Sequence, residues 1–95
     1  MQQPNPIYEG HEYLKTITDR DIKRAAVLRA AGYQVATIKL PCSPRCAFEY
    51  SDGPETRRLL DDYELKKVLP IPQKAIMQSH GALLGECRML KQGTL

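Results

Sequence analysis

The sequence predicts a small single α+β domain with the element order β-α-β-β-α-α and a three-stranded mixed sheet packed with helices. Three observations lead to this fold class. Glycines and prolines divide the 95-residue chain into short segments, and β-branched residues concentrate in the earlier ones. The last segment instead repeats apolar residues at three- and four-residue spacing, as an amphipathic helix does. A chain of this length corresponds to one domain.

Three strands are predicted in the first half of the chain. Met1–Pro6 is polar and contains two prolines, so we expect a flexible N-terminal tail over residues 1–12, with residues 13–95 forming the domain. The first strand is predicted over Tyr13–Ile17, which mixes apolar and β-branched residues. Tyr33–Leu40 predicts the second strand, and Cys46–Tyr50 predicts a third that pairs with it as a hairpin.

The first helix is predicted between the first two strands, over Asp19–Ala31. Thr18 is the expected N-cap, while Asp19 and Asp21 place negative charge in the first turn. Gly32 is expected to end the helix in a left-handed conformation. Since this strand–helix–strand unit has a right-handed crossover when its strands share a sheet, the first two strands should be parallel.

Two further helices are predicted after the third strand. The first of them begins at Pro54, which suits the first helical position, and Pro70–Pro72 ends it. The last helix covers Gln73–Lys91 with an apolar stripe. Its stripe consists of Ile76, His80, Leu83, Leu84, Cys87 and Leu90. The inward residues of the preceding helix are predicted to be Leu59, Leu60, Tyr63 and Val68. The residues predicted to be buried together are Phe48, Leu59, Tyr63, Ile76, Leu83 and Leu84.

The composition excludes several classes of protein. Hydrophobic residues make up 42% and charged residues 26%, which is ordinary for a globular domain and unlike a disordered chain. No apolar run approaches the roughly 20 residues that a membrane span needs. The N-terminus lacks the basic and apolar regions of a signal peptide. An odd number of cysteines fits a reducing compartment. We therefore expect a cytoplasmic protein with no membrane contact.

Several short motifs carry a resemblance. They are Thr16–Asp19 before an alanine-rich helix, Gly32-Tyr33, Ser43–Arg45, Phe48–Tyr50, the helix with Leu59, Leu60 and Tyr63, and Lys66–Val68. Over roughly Tyr13 to Lys91 the chain resembles a small domain family of unknown function found largely in phage and mobile-element genomes. The resemblance supports the element order and implies a phage or mobile-element setting. It implies no catalytic residues.

Four residues are candidate zinc ligands: Cys42, Cys46, His80 and Cys87. Two loop thiolates, with a histidine and a cysteine on one helix face, could form a tetrahedral site. Structural zinc sites usually use closer pairs than the seven-residue step in the last helix. The alternative is that the cysteines are small buried hydrophobes or loop thiols. We predict no metal and no cofactor.

The most basic segment covers the first strand and helix. Lys15, Arg20, Lys23 and Arg24 are the predicted nucleic-acid contacts, because cations donate charge-assisted hydrogen bonds to phosphates and release counterions. The alternative is an ordinary solvated helix face. The formal charge of +3 permits contact with DNA or RNA without indicating it.

Gly81 and Gly85 suggest a second class of function. Each glycine inside a helix costs about 1 kcal/mol relative to alanine, so two of them predict the close approach of another backbone. That backbone belongs to the sheet, to another protein or to a second copy; a bend or break near Gly81 is the remaining alternative.

The sequence contains no glycine-rich phosphate loop, nucleophile elbow or metalloprotease motif, so we expect no enzymatic activity. The leading prediction is a non-enzymatic accessory protein of a phage or mobile element that binds nucleic acid weakly through its first helix. The alternative is a protein-interaction or self-associating module that uses the last helix.

Overall fold

The computed structural model describes residues 15–41 and 45–93. Its elements follow one another in the predicted order: β1 (Thr16–Asp19), α1 (Ile22–Ala30), β2 (Ala36–Lys39), β3 (Cys46–Ser51), α2 (Pro54–Glu64) and α3 (Gln73–Lys91). The predicted α+β fold class is therefore confirmed. The predicted tail, the start of the first predicted strand and Cys42 lie outside the described residues.

The three strands form one sheet in the order β1-β3-β2, and both neighbouring pairs are antiparallel. β1 and β2 therefore point the same way, as the strand–helix–strand unit predicts, but β3 lies between them. In this part of the chain the sheet consists of antiparallel pairs, where a mixed sheet was predicted. The reason lies in β3, which is buried at Cys46, Ala47, Phe48 and Tyr50. A strand buried on both faces takes the middle of a sheet.

The first helix begins later than the sequence predicts. Thr18, the predicted N-cap, belongs to β1 and pairs with Glu49 across the sheet. Asp21 is the N-cap, because its carboxylate accepts hydrogen bonds from the backbone N–H groups of Lys23 and Arg24. Threonine and aspartate are both good N-caps. The β-branched Thr18 also favours a strand, and because it pairs within the sheet, the cap position falls to Asp21.

Gly32 ends α1 in the predicted left-handed conformation, with a φ of +100°. The backbone N–H of Tyr33 donates to the carbonyl of Leu28, and that of Gly32 donates to the carbonyl of Arg29. This pair of hydrogen bonds is the Schellman motif, in which glycine is the usual left-handed residue.

The same motif ends α2 at Glu64, earlier than the predicted break at Pro70–Pro72. The N–H of Lys67 donates to the carbonyl of Asp62, and the N–H of Lys66 donates to that of Tyr63. Lys66 holds the left-handed position with a φ of +58°. The chain therefore leaves the helix before Val68, whose predicted inward position is wrong because it is 99% exposed.

The core lies between the sheet and the helices, and α1 is the central element that contacts β3, α2 and α3. Its residues Ala25–Leu28 are fully buried, as is Leu83 of α3. Leu83 and Phe48 thus occupy the core as predicted, with Leu59 and Ile76 packed against it. Leu84 is 38% exposed and does not belong to the core. None of the described helices is long and apolar enough to cross a membrane.

A candidate binding groove

The structure separates the four residues predicted to contact nucleic acid. Lys15, Arg20 and Lys23 are exposed and take part in none of the ion pairs found in the described part of the chain. Arg24 is half-buried, and its Nε lies 2.9 Å from Asp19 Oδ2. Its Nη1 lies 3.4 Å from Glu64 Oε1. Arg24 therefore connects α1 to β1 and α2, and its charge is neutralised within the domain.

Asp19 is the centre of this polar network. Its Oδ2 also accepts a hydrogen bond from the Tyr50 hydroxyl at 2.9 Å, and its Oδ1 accepts one from the backbone N–H of Asp21. Burial alone would raise the pKa of Asp19, but these donors and the Arg24 guanidinium outweigh it and hold the pKa below its ordinary value. Burial also raises the pKa of Tyr50, and its bond to Asp19 adds to that effect. Every member is partnered, so the network serves the fold.

A second polar cluster connects α1, β2 and α3. Arg29 donates to both carboxylate oxygens of Glu86 and to the backbone carbonyl of Val35. Thr37 donates to Glu86 Oε1 at 2.7 Å. The hydrogen bond from Arg29 lowers the pKa of Glu86, and the bond from Thr37 lowers it further. Arg29 is thus a second cation of the basic segment that the fold uses internally.

A wide groove in the described part of the chain lies where α1, the end of α2 and the first half of α3 meet. Its volume is about 640 Å³. The residues lining it are Lys23, Val27, Tyr63, Lys66, Lys67, Val68, Leu69, Ile71, Gln73, Ile76, Met77 and His80. They come from α1, α2, the loop that follows α2, and α3, so the groove exists only in the folded chain.

The rim of the groove is basic. Lys23 projects from α1, while Lys66 and Lys67 follow α2, and no lining residue among those described is acidic. The Lys67 Nζ lies 3.5 Å from Asp62, which is outside the lining, and Lys23 and Lys66 form no ion pair within the described ranges. The sequence carries a signal for this asymmetry, because no acidic residue occurs between Leu65 and Gly85.

Apart from Gln73 and His80, the rest of the groove lining is largely apolar, and it is open to solvent. Val27 lies at its floor with its side chain fully covered, and Ile76 is partly buried. Val68 and Met77, at 99% and 65% exposure, leave large apolar surface uncovered. Apolar side chains that collect beside a groove are typical of binding surfaces, whereas single exposed ones are ordinary.

Gly81 and Gly85 lie on the second half of α3, where the helix runs through both without a break. A Cβ atom placed on either would meet nothing within 4 Å among the contacts described. Neither the predicted close approach to the protein's own sheet nor a helix end near Gly81 is therefore present. Association with a second chain stays a prediction.

The candidate zinc ligands are only partly brought together. Cys46 Sγ donates to the backbone carbonyl of Cys87 at 3.6 Å, whereas His80 lines the groove. Burial raises the pKa of Cys87 to about 11, with Cys46 adding to the effect. Within residues 15–41 and 45–93, no group of three or more His, Cys, Asp or Glu could hold a metal ion. Cys42 lies outside these ranges.

Comparisons of the chain with known proteins found no match. No protein-family model, no curated protein and no solved structure matches the chain. The resemblance to a phage and mobile-element family therefore stays a prediction from the sequence.

Proposed function

We propose that the protein is a non-enzymatic binding module, and that the groove between α1, α2 and α3 binds a ligand that combines negative charge with apolar surface. One observation carries this proposal: lysines from two separate segments of the chain surround an uncovered apolar surface. Burying apolar surface contributes about 25 cal/mol per Å², and the lysines favour an anionic partner over a neutral one.

The backbone at Lys66 supports the same site. A left-handed conformation costs a residue other than glycine roughly 1–2 kcal/mol, and the equivalent position at the end of α1 is Gly32. Residues kept in unfavourable conformations cluster at functional sites. A lysine in this position at the rim of the groove fits a role for its side chain in binding.

This proposal develops the predicted interaction module and moves its site along the last helix. The sequence directed attention to Gly81 and Gly85, whereas the groove uses the first half of α3. The absence of acids from the groove lining described above favours a negatively charged partner over self-association, because two positive rims would repel each other.

Nucleic-acid binding is the second candidate, since Lys15, Arg20 and Lys23 remain exposed outside the ion pairs described above. It excludes Arg24, which the fold has already paired. Phosphate contacts through the exposed cations would show a steep dependence on salt.

The test is a fluorescence titration with anilinonaphthalene sulfonate, an anionic and apolar dye. We expect saturable binding of one dye per chain. Val68→Ser and Lys66→Gln should each weaken it severalfold, because they remove apolar surface and charge from the groove. Leu65→Ser and Lys39→Gln are the matched controls, since both residues are exposed and lie outside the groove lining. Binding that responds equally to all four variants would contradict the proposal.

The nucleic-acid candidate is tested separately by fluorescence anisotropy with a DNA duplex and a single-stranded RNA at low salt. Micromolar binding that falls with salt and is lost in the double variant Lys15→Gln, Arg20→Gln would favour it over the groove. No binding to either probe would exclude it.

A further inference from the structure

We infer that the occupant of the groove is an amphipathic α-helix of a partner protein, with acidic residues beside its apolar stripe. This inference rests on the proposed function and names the class of partner. Three features of the groove lead to it: the geometry of its walls, the distribution of its charge and its openness.

The walls of the groove are largely helical. Lys23 and Val27 are four residues apart in α1, and Ile76 and His80 are four residues apart in α3, so each pair lies on one helix face. Two helix faces that meet along a groove offer ridges between which the side chains of a third helix pack. Helices bind such grooves through apolar residues at positions i, i+3, i+4 and i+7.

The charge of the groove indicates which residues the partner helix carries. Its lysines stand at the rim, and its floor at Val27 and Ile76 is apolar. A helix with a central apolar stripe and acidic flanks would place its carboxylates at the rim while its stripe covers the floor. Exposed ion pairs contribute little affinity, because water and salt screen them. Charge would therefore set orientation and association rate, and apolar burial would supply the affinity.

The openness of the groove disfavours a small molecule. Drug-sized ligands are usually 70–90% buried in their pockets, whereas Val68 and Met77 leave most of their surface in solvent. A protein segment extends beyond the groove and can cover both residues. Methionine also adapts its shape to different partners, which suits a surface that receives a helix.

Single-stranded nucleic acid would use the groove poorly. Proteins bind such strands by stacking bases on aromatic side chains along a basic path. Tyr63 and His80 supply the aromatic rings in the described lining, and both are half-buried, so neither offers an open face along a basic path. Phosphates would gain from the lysines but would leave the apolar floor uncovered. An acidic amphipathic helix satisfies both parts of the groove.

The experiment uses a fluorescently labelled peptide of about 16 residues, long enough to form a helix on binding. The peptide carries leucines at i, i+3, i+4 and i+7 and glutamates on both flanks. Its first control is a scrambled peptide of the same composition and charge, and its second replaces glutamates with glutamines. We expect the scrambled peptide to bind at least about tenfold more weakly, since it has no continuous stripe. The glutamine peptide should bind more weakly and with less dependence on salt.

Protein variants locate the binding. Val68→Ser and Lys66→Gln should weaken the affinity for the acidic peptide severalfold, while Leu65→Ser and Lys39→Gln should leave it unchanged. Circular dichroism should show the peptide gaining helix as it binds. Lys66→Gly is a further variant, because it removes the charge at a position where glycine relieves the backbone and the fold is retained.

The possible results are distinguishable. Equal affinity for the ordered and scrambled peptides would overturn the helical occupant. If the anionic dye binds in the groove but none of the peptides does, the proposed function stands and this inference falls. If neither dye nor peptide binds, both fall.

Discussion

The two halves of the last helix differ in what covers them. In the second half, Leu83 is fully buried, Glu86 is held by Arg29 and Thr37, and Cys87 packs against the core. In the first half, Met77 is 65% exposed and His80 lines an open groove. Both halves expose some apolar surface, since Leu84 and Met89 of the second half are also partly exposed. The fully buried leucine and the polar cluster that join α3 to α1 and β2 lie in the second half, whereas the first half borders the open groove.

The difference teaches how one helix can serve both the fold and binding. The 19-residue helix is fixed mainly by Leu83 and Glu86 in its second half, so its first half can border the groove with Ile76 as its contact to the core. The cations of α1 also differ in whether they serve the fold or the groove. Arg24 and Arg29 pair with acids of other elements, while Lys23 reaches the groove unpaired by any acid described here.

The largest expected effect is on stability in the second half. Leu83→Ala should lower the free energy of unfolding by about 2–4 kcal/mol, because it leaves a cavity in the core. Met77→Ala in the first half should change it by less than about 0.5 kcal/mol, as expected for an exposed site. Urea denaturation of both variants measures this. Equal losses would show that the two halves are packed alike.

A smaller effect is expected at the Glu86 cluster. Glu86→Gln should cost about 1–2 kcal/mol, because hydrogen bonds to charged groups are the stronger ones and Arg29 would lose its counterion. Glu55→Gln, at an exposed position in the first turn of α2, is the comparison and should cost less, about 0.3–1 kcal/mol, since only its interaction with the helix N-terminus is lost. Wild-type stability in both variants would contradict a stabilising role for the Glu86 cluster.

The stability should also depend on pH through the two polar clusters. The pKa values of Asp19 and Glu86 are lowered in the folded state, so the unfolded chain takes up protons first as the pH falls. Their stabilisation is present above their ordinary pKa values and is lost as the pH falls through the folded ones. The urea midpoint should therefore decline on acidification below about pH 5. Glu86→Gln should flatten part of this decline, and an unchanged profile would contradict the assignment.

The smallest effects are expected at backbone positions. Gly81→Ala should raise the free energy of unfolding by about 0.5–1 kcal/mol, because the added Cβ meets no described atom and alanine favours the helix. Lys66→Gly should raise it by a similar amount through relief of the left-handed backbone. If Gly81→Ala instead destabilises the protein or changes its oligomeric state, the second half of α3 is an interface.

The sequence predicted those helix ends that local residue preferences determine. Gly32 marks the end of α1 and Pro54 marks the start of α2, because left-handed and first-turn positions each favour one residue type. The end of α2 was predicted too late, because Lys66 occupies a position where glycine is usual. The mixed sheet was also wrong, since the central position of β3 depends on its burial on both faces.

The candidate site was less accessible from the sequence. Lys23 and Arg24 are adjacent, and a helix turns by about 100° per residue, so one reaches the groove and the other reaches Asp19. Residue spacing could separate the two side chains but could not show which one faced an acid. The acid-free segment from Leu65 to Gly85 was the available signal, and it becomes a site only where α1 and α3 meet.

The most direct test of this account follows the backbone amides of the protein by NMR while anilinonaphthalene sulfonate is added. The account predicts shifts confined to the groove, at Lys23, Lys66–Val68 and residues 73–80, with residues 83–90 and the sheet unchanged. Shifts centred on Gly81 and Gly85, on Lys15 and Arg20, or spread evenly over the domain would contradict it.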